Sequence, residues 1–327
     1  MSVQSLLDNF MHPPVLFFFL GVLATLVKSD LEVPPQIGKF LGLYLLFHIG
    51  IVGGEELFHS GFNATVLAVM GTCVAASFLL PFLSYRVLRL RLDPINAAAI
   101  AAAYGSISAV EFATASSFLE GKHVPFGGYL VAGMALMESP AVIAGLILAR
   151  LGARPAKTDT APRARINWAH ILHESVFNGS VLLLLGSLVI GYVTGETGER
   201  ELKPFVTDIF RGMLSLYMLD MGLLAGRRLG DLKKSGVFLS GFALVYPPLL
   251  ALVGMSVAYL LGLAQGDALL LTILFSSASF IAVPAAMRLA LPEANMGLLL
   301  PMTLGITFTF EIAIGIPLYF QLIQWIW

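Results

Sequence analysis

Two runs of small, hydroxyl-bearing residues interrupt otherwise apolar stretches of this 327-residue chain. One is Gly105–Ser106–Ile107–Ser108, inside NAAAIAAAYGSISAVEFATASSF. The other is Ser276–Ser277–Ala278–Ser279, inside FSSASFIAVPAAM, with Pro284 following. Small polar residues tolerate unwinding, and proline removes a backbone donor. A half-helix that starts at such a break aims unpaired N–H groups and the positive end of its dipole into the protein. That suits a small anion, with serine hydroxyls completing its hydrogen bonds. Unwound carbonyls and hydroxyls alongside are hard oxygen ligands, suited to a small cation such as sodium. Small residues also let helices approach closely, so tight interior packing is the competing account.

Three carboxylates, Glu111, Glu138 and Glu311, fall within apolar segments as well. A charge at the centre of a bilayer costs about 2.5–3.5 kcal/mol on insertion scales. Each glutamate therefore asks for a partner or a function. It could handle a cation or proton, or, when protonated, hydrogen-bond helices together. Asp220, with Arg227 about two turns away, reads as structural, and His48 as a packed histidine. The histidines show no metal-ligand spacing. No HExxH, no GxSxG elbow and no serine–histidine pairing occurs, so an enzyme is not expected.

The elements that must carry these residues are membrane spans. The chain is 57% hydrophobic and only 12% charged, with a mean hydropathy of +0.86; a soluble domain carries about 25% charged residues. A formal net charge of −1 and the lack of a basic run speak against nucleic acid. The single Cys73 excludes an internal disulfide. The opening MSVQSLLDNFMHPP has no basic n-region, so no cleavable signal peptide is expected. With about 20 apolar residues per span, ten are predicted: 13–28, 36–54, 63–84, 95–118, 125–149, 175–194, 204–225, 236–262, 267–288 and 297–325. Phe17–Phe19, Trp325 and Trp327 read as lipid-facing or interfacial anchors.

The two halves echo each other. YLLFHIGIVGG around Gly50–Gly54 returns as YMLDMGLLAG around Gly222–Gly226, an offset of about 172 that also pairs Lys39 with Arg211 and His48 with Asp220. GSIS pairs with SSAS at about 171, and Glu138 with Glu311 at about 173. Five spans per half is an odd number, so the second half must enter the membrane the other way up, as an inverted repeat. The predicted architecture is thus an all-α polytopic membrane protein: residues 1–150 form the first five-helix repeat, 151–170 a linker and 171–327 the second. One set of connections holds fourteen lysines and arginines, the alternate set only Lys122, Arg200 and Lys203. The positive-inside rule then puts the linker in the cytoplasm and both termini outside the plasma (inner) membrane.

At these motifs the chain resembles the SbtA-type sodium-dependent bicarbonate transporter family. The resemblance is carried by HIGIVGG, LYMLDMGLLAG, GSIS, ESPAVIAGLILA and SSASFIAVPAAMRLALPEAN, continuing into LGITFTFEIAIGIPLY. It implies ten helices as a 5+5 inverted repeat, a core domain moving against a gate domain, and a homotrimer. It also implies a PII-like cytoplasmic regulator. Bicarbonate, or a similar small anion, would sit between the breaks at Gly105, Ser106, Ser108, Ser276, Ser277 and Ser279. Co-transported sodium would lie beside it, among Ser108, Glu111, Glu138, Ser279, Thr307 and Glu311. Two positions depart from the family pattern: Glu111 where a small or hydroxyl residue is expected, and Glu311 where a neutral amide is expected. A cation/proton antiporter using the intramembrane glutamates, and a sodium symporter of another small anion, are the alternatives at this point.

Overall fold

The structure, a computed structural model, describes residues 12–61, 63–152 and 179–327. From residue 153 onward the expected linker, and the start of the span expected at 175, lie outside the described residues. Among those described there are helices and no strand. In chain order the helices are α1 (Pro13–Leu26), α2 (Pro35–Ser60), α3 (Ala64–Leu88), α4 (Pro94–Ala103), α5 (Ala109–Gly121), α6 (Tyr129–Gly152), α7 (Gly179–Val206), α8 (Phe210–Leu260), α9 (Gln265–Ser276) and α10 (Ala282–Ala290). The last helical stretch, α11, runs over Met296–Ile326.

Helix starts follow local chemistry. Asn63 caps α3, its side chain accepting from Val66 N at 3.0 Å. Asp93 caps α4 by accepting from Ile95 N and Asn96 N, both at 3.0 Å, with Pro94 behind it at the first helical position. Partial burial works against the Asp93 charge, but hydrogen bonds from Asn96 and Ile95 outweigh it and hold the carboxyl below its ordinary pKa. Gly236, at φ 75°, bends α8 at the boundary between two expected spans, in the left-handed region that a side chain disfavours.

Among the described residues, six helices are long and apolar enough to cross a membrane: Pro35–His59, Ala64–Leu88, Tyr129–Gly152, Gly179–Val206, Gly236–Leu260 and Met296–Ile326. The four other expected spans fall short for separate reasons. Pro13–Leu26 has 14 residues, about 21 Å of helix against a hydrocarbon core of about 30 Å. The segments at 95–118 and 267–288 are each split into two short helices, and the first part of α8 carries Asp220, Arg227 and Arg228.

The glycines of the repeated motif explain the helix pairing. A Cβ on Gly50 or Gly54 of α2 would overlap the backbone of α7, and one on Gly191 of α7 would overlap Ile51. A Cβ on Gly222 of α8 would meet Phe18 O of α1, and one on Gly21 would meet Leu219 O. Each copy of the motif thus brings its helix into backbone contact with a helix from the other half of the chain. Small residues are what allow such approach.

Gly71, by contrast, faces open space, with nothing within 4 Å of where a Cβ would stand. Gly54→Ala is therefore expected to destabilise by about 1–3 kcal/mol, whereas Gly71→Ala should be neutral or stabilise by up to about 1 kcal/mol through helix propensity. Thermal unfolding in detergent compares the two, and equal responses would refute the close-packing account.

Candidate functional site

Both hydroxyl-rich runs are non-helical, and they cross. Residues 104–108 separate α4 from α5, and residues 277–281 separate α9 from α10. Ser279 N donates to Ala103 O at 2.9 Å. Ser108 N donates to the Ser277 hydroxyl at 3.2 Å. Each break thus supplies hydrogen-bond partners to the other. Two of the serines also accept first-turn N–H groups of the half-helices that follow. The Ser108 Oγ accepts from Glu111 N at 3.3 Å, and the Ser279 Oγ from Val283 N at 3.2 Å. Gly105 fits against Pro81 of α3, where a Cβ would overlap the proline ring.

A cavity of about 530 Å³ reaches this crossing. Ser108, Ala109 and Val110 line it from the start of α5, and Ser279, Phe280, Ile281 and Ala282 from the second break. The first N–H groups of a helix have no intrahelical acceptor, so the beginnings of two half-helices supply donors and positive dipole ends to one space. The opposite wall is α2, at Gly42, Leu45 and Leu46, and α8, at Tyr217, Asp220, Met221 and Leu224. Glu138 of α6 also lines the cavity, and Lys39 and Arg227 stand toward the end where Val33 and Pro35 are.

On the other side of the crossing the same helices are shut. His48 stacks on Phe210 with ring centroids 3.5 Å apart and an interplanar angle of 9°. Its Nδ1 lies 2.7 Å from Val206 O. Tyr44 donates to Phe205 O at 2.7 Å. Only about 10 Å³ remains among His48, Glu56, Phe112, Glu120 and Phe210.

The residues expected from sequence separate into three places. Ser108, Ser279 and Glu138 line the cavity. Gly105, Ser106, Ser276 and Ser277 do not: Gly105 packs on Pro81, Ser277 serves Ser108 N, and Ser276 donates to Glu311 Oε2 at 3.4 Å. Ser106 is buried, with its hydroxyl lacking a hydrogen-bond partner. Glu111 and Glu311 are fully buried away from the cavity, near enough for their charges to act on each other. Glu311 accepts from Tyr319 OH at 2.8 Å, while neither oxygen of Glu111 has a partner.

Thr307 and Glu311 lie on π-helical turns of α11, Pro301–Phe308 and Glu311–Gly315, a geometry common at functional sites. The Thr307 hydroxyl donates to Ala243 O at 2.8 Å. It therefore accepts from Tyr104 OH, 2.8 Å away. Tyr319, Tyr104 and the cavity face of α8 are absent from the expected set. Tyr217, Asp220, Met221 and Leu224 follow i, i+3, i+4, i+7 spacing, so helical periodicity carries that face. The π-turns leave no comparable pattern.

A family model described as the Na+-dependent bicarbonate transporter superfamily matches residues 13–324. The chain belongs to that superfamily. No curated protein matches it. Independently of cargo, Thr307→Val removes the hydroxyl that links Tyr104 to Ala243 and is expected to cost about 1–3 kcal/mol. Thermal unfolding of the purified variant measures this, and an unchanged midpoint would show that the buried chain of hydrogen bonds contributes nothing.

Proposed function

We propose that this superfamily member is a secondary transporter that takes up bicarbonate with sodium, holding the anion in the cavity between the two crossed breaks. One observation carries the reading: the starts of α5 and α10 line a single cavity, and at each a serine that also lines it accepts a first-turn N–H. Bicarbonate carries one negative charge and offers both donor and acceptor oxygens. Helix-start N–H groups and the Ser108 and Ser279 hydroxyls match it without needing a full positive charge deep in the membrane. Sodium, as cargo, requires oxygen ligands, and the expected set Ser108, Glu111, Glu138, Ser279, Thr307 and Glu311 offers only oxygens.

The architecture we propose is ten spans in a 5+5 inverted repeat, with α1, α2, α7 and the first part of α8 as the gate. The exchange of partners supports it, since α2 packs on α7 while α8 packs on α1. With the positive-inside orientation, the end bearing Lys39 and Arg227 is cytoplasmic. The cavity is then open inward, and the His48–Phe210 stack closes the outer side. Alternating access would open the outer side by moving α2 and α8 relative to the crossing. A homotrimer in the plasma membrane and a PII-like regulator complete the proposal. These two rest on family resemblance alone.

Ser279→Ala is expected to raise the KM for bicarbonate about tenfold, the loss of one hydrogen bond worth about 1.4 kcal/mol. Initial rates of labelled bicarbonate uptake into proteoliposomes measure it. An unchanged KM in both Ser279→Ala and Ser108→Gly would remove this cavity as the anion site.

A further inference from the structure

Within the set of oxygen ligands proposed for sodium, one buried pair of carboxyls stands apart from the anion cavity. Glu111, in the first turn of α5, and Glu311, on the second π-turn of α11, are both 0% exposed. Neither lines the 530 Å³ cavity. Glu311 has two donors, Tyr319 OH at 2.8 Å and the Ser276 hydroxyl at 3.4 Å. Among the described residues, Glu111 has none for either oxygen. Among the described residues, no lysine, arginine or histidine contributes to the field at either carboxyl. Glu111 feels Glu311, and Glu311 feels Tyr319 and Ser276. The further phenol nearby, Tyr104, is engaged with Thr307.

Such a pair is expensive to bury without a counter-charge, because an unpaired buried carboxylate costs far more than a neutral group. Four acceptor oxygens, two of them unserved, with hydroxyls at the edge, make a ligand set for a small monovalent cation. The pair is joined to the anion side by two consecutive residues. Ser276 touches Glu311, and Ser277 holds Ser108 N, one residue from the start of α5. A backbone shift of Ser276 on filling the pair has a short route to Ser277, since one planar peptide separates them.

We propose that Glu111 and Glu311 form a sodium site separate from the anion cavity, and that the Ser276–Ser277 step couples its filling to the N–H groups that receive the anion. The inference rests on the proposed sodium-coupled reading and adds to it where the ion sits and which residue transmits its binding. Ser277 is a positioning residue: its hydroxyl is committed to Ser108 N and acts on the anion through it. The coupling is reciprocal, so bicarbonate must tighten sodium binding by the factor with which sodium tightens bicarbonate.

The test is thermal unfolding of the purified full chain in detergent, titrated with sodium chloride against choline chloride at constant ionic strength, with and without choline bicarbonate. Wild type is expected to be stabilised by sodium alone, with the half-saturating sodium concentration falling about fivefold or more in bicarbonate. Glu111→Gln should unfold at a higher temperature than wild type in choline, because the unserved charge is gone, and should not respond to sodium. Glu311→Gln serves as the second variant should Glu111→Gln not fold, and it too should lose the sodium response. Ser277→Ala should respond to sodium alone and to bicarbonate alone, while the fivefold linkage between them falls to about one.

A wild-type sodium response in either glutamine variant would overturn the site. Intact linkage in Ser277→Ala, or loss of its response to bicarbonate alone, would overturn the coupling step. Sodium stabilisation that depends on Glu111 with no effect of bicarbonate on wild type would leave the cation site standing and remove bicarbonate as the cargo.

Discussion

Everything else in this molecule depends on how the backbone is satisfied where two helices unwind inside the protein. In a hydrocarbon setting each unpaired amide costs several kcal/mol, so irregular backbone persists only where protein or a lined cavity serves it. Here the two breaks serve each other. Ala103 O receives Ser279 N, and the Ser277 hydroxyl receives Ser108 N. Ser108 then caps α5 by accepting from Glu111 N, and Ser279, two residues before the N-cap of α10, accepts from Val283 N. Once that mutual repair is made, Ala109 and Val110 of α5 and Ala282 of α10 still line the cavity with first-turn N–H groups that have no intrahelical acceptor. Under the proposed reading, the anion site is a by-product of making two broken helices tolerable, and the wall formed by α2 and α8 completes it.

The surrounding packing shows a division of labour. Helices bearing the repeated glycine motif are held backbone-to-backbone with a partner from the other half of the chain, at Gly50, Gly54 and Gly191 on one side and at Gly21 and Gly222 on the other. Close contacts of this kind resist bending within a pair and let the pair move as one body. The cavity lies between these pairs and the crossing, and a stacked His48–Phe210 contact closes the same boundary on its other side. A boundary open at one end and shut at the other is the arrangement that alternating access requires, under the proposed reading.

Much of this was legible in the sequence, and the reason is physical. A break in a membrane helix needs small, polar or proline residues, and it needs them in a long apolar segment, so GSIS and SSAS stand out against their surroundings. The glycine echo was equally visible because helix contact at backbone distance admits little else. The sorting of the six serine and glycine positions was not visible. Ser108 and Ser277 differ in role only through the crossing geometry, which brings residues about 170 positions apart into contact. Pairing Glu138 with Glu311 by repeat offset did not show that Glu138 lines the cavity while Glu311 is buried outside it. The π-turns of α11 rotate Thr307 and Glu311 relative to an ordinary helix, and no residue pattern announces them. Interrupted helices, likewise, read as one apolar segment in sequence and as two short helices in space.

The most direct test of the central claim is uptake of radiolabelled bicarbonate into proteoliposomes of the wild-type chain, with an inward sodium gradient or with potassium replacing sodium. Accumulation above equilibrium that requires the sodium gradient and collapses when it is dissipated is the expected result. Equal bicarbonate entry in sodium and potassium, or sodium-driven pH change without any added anion, would contradict the account.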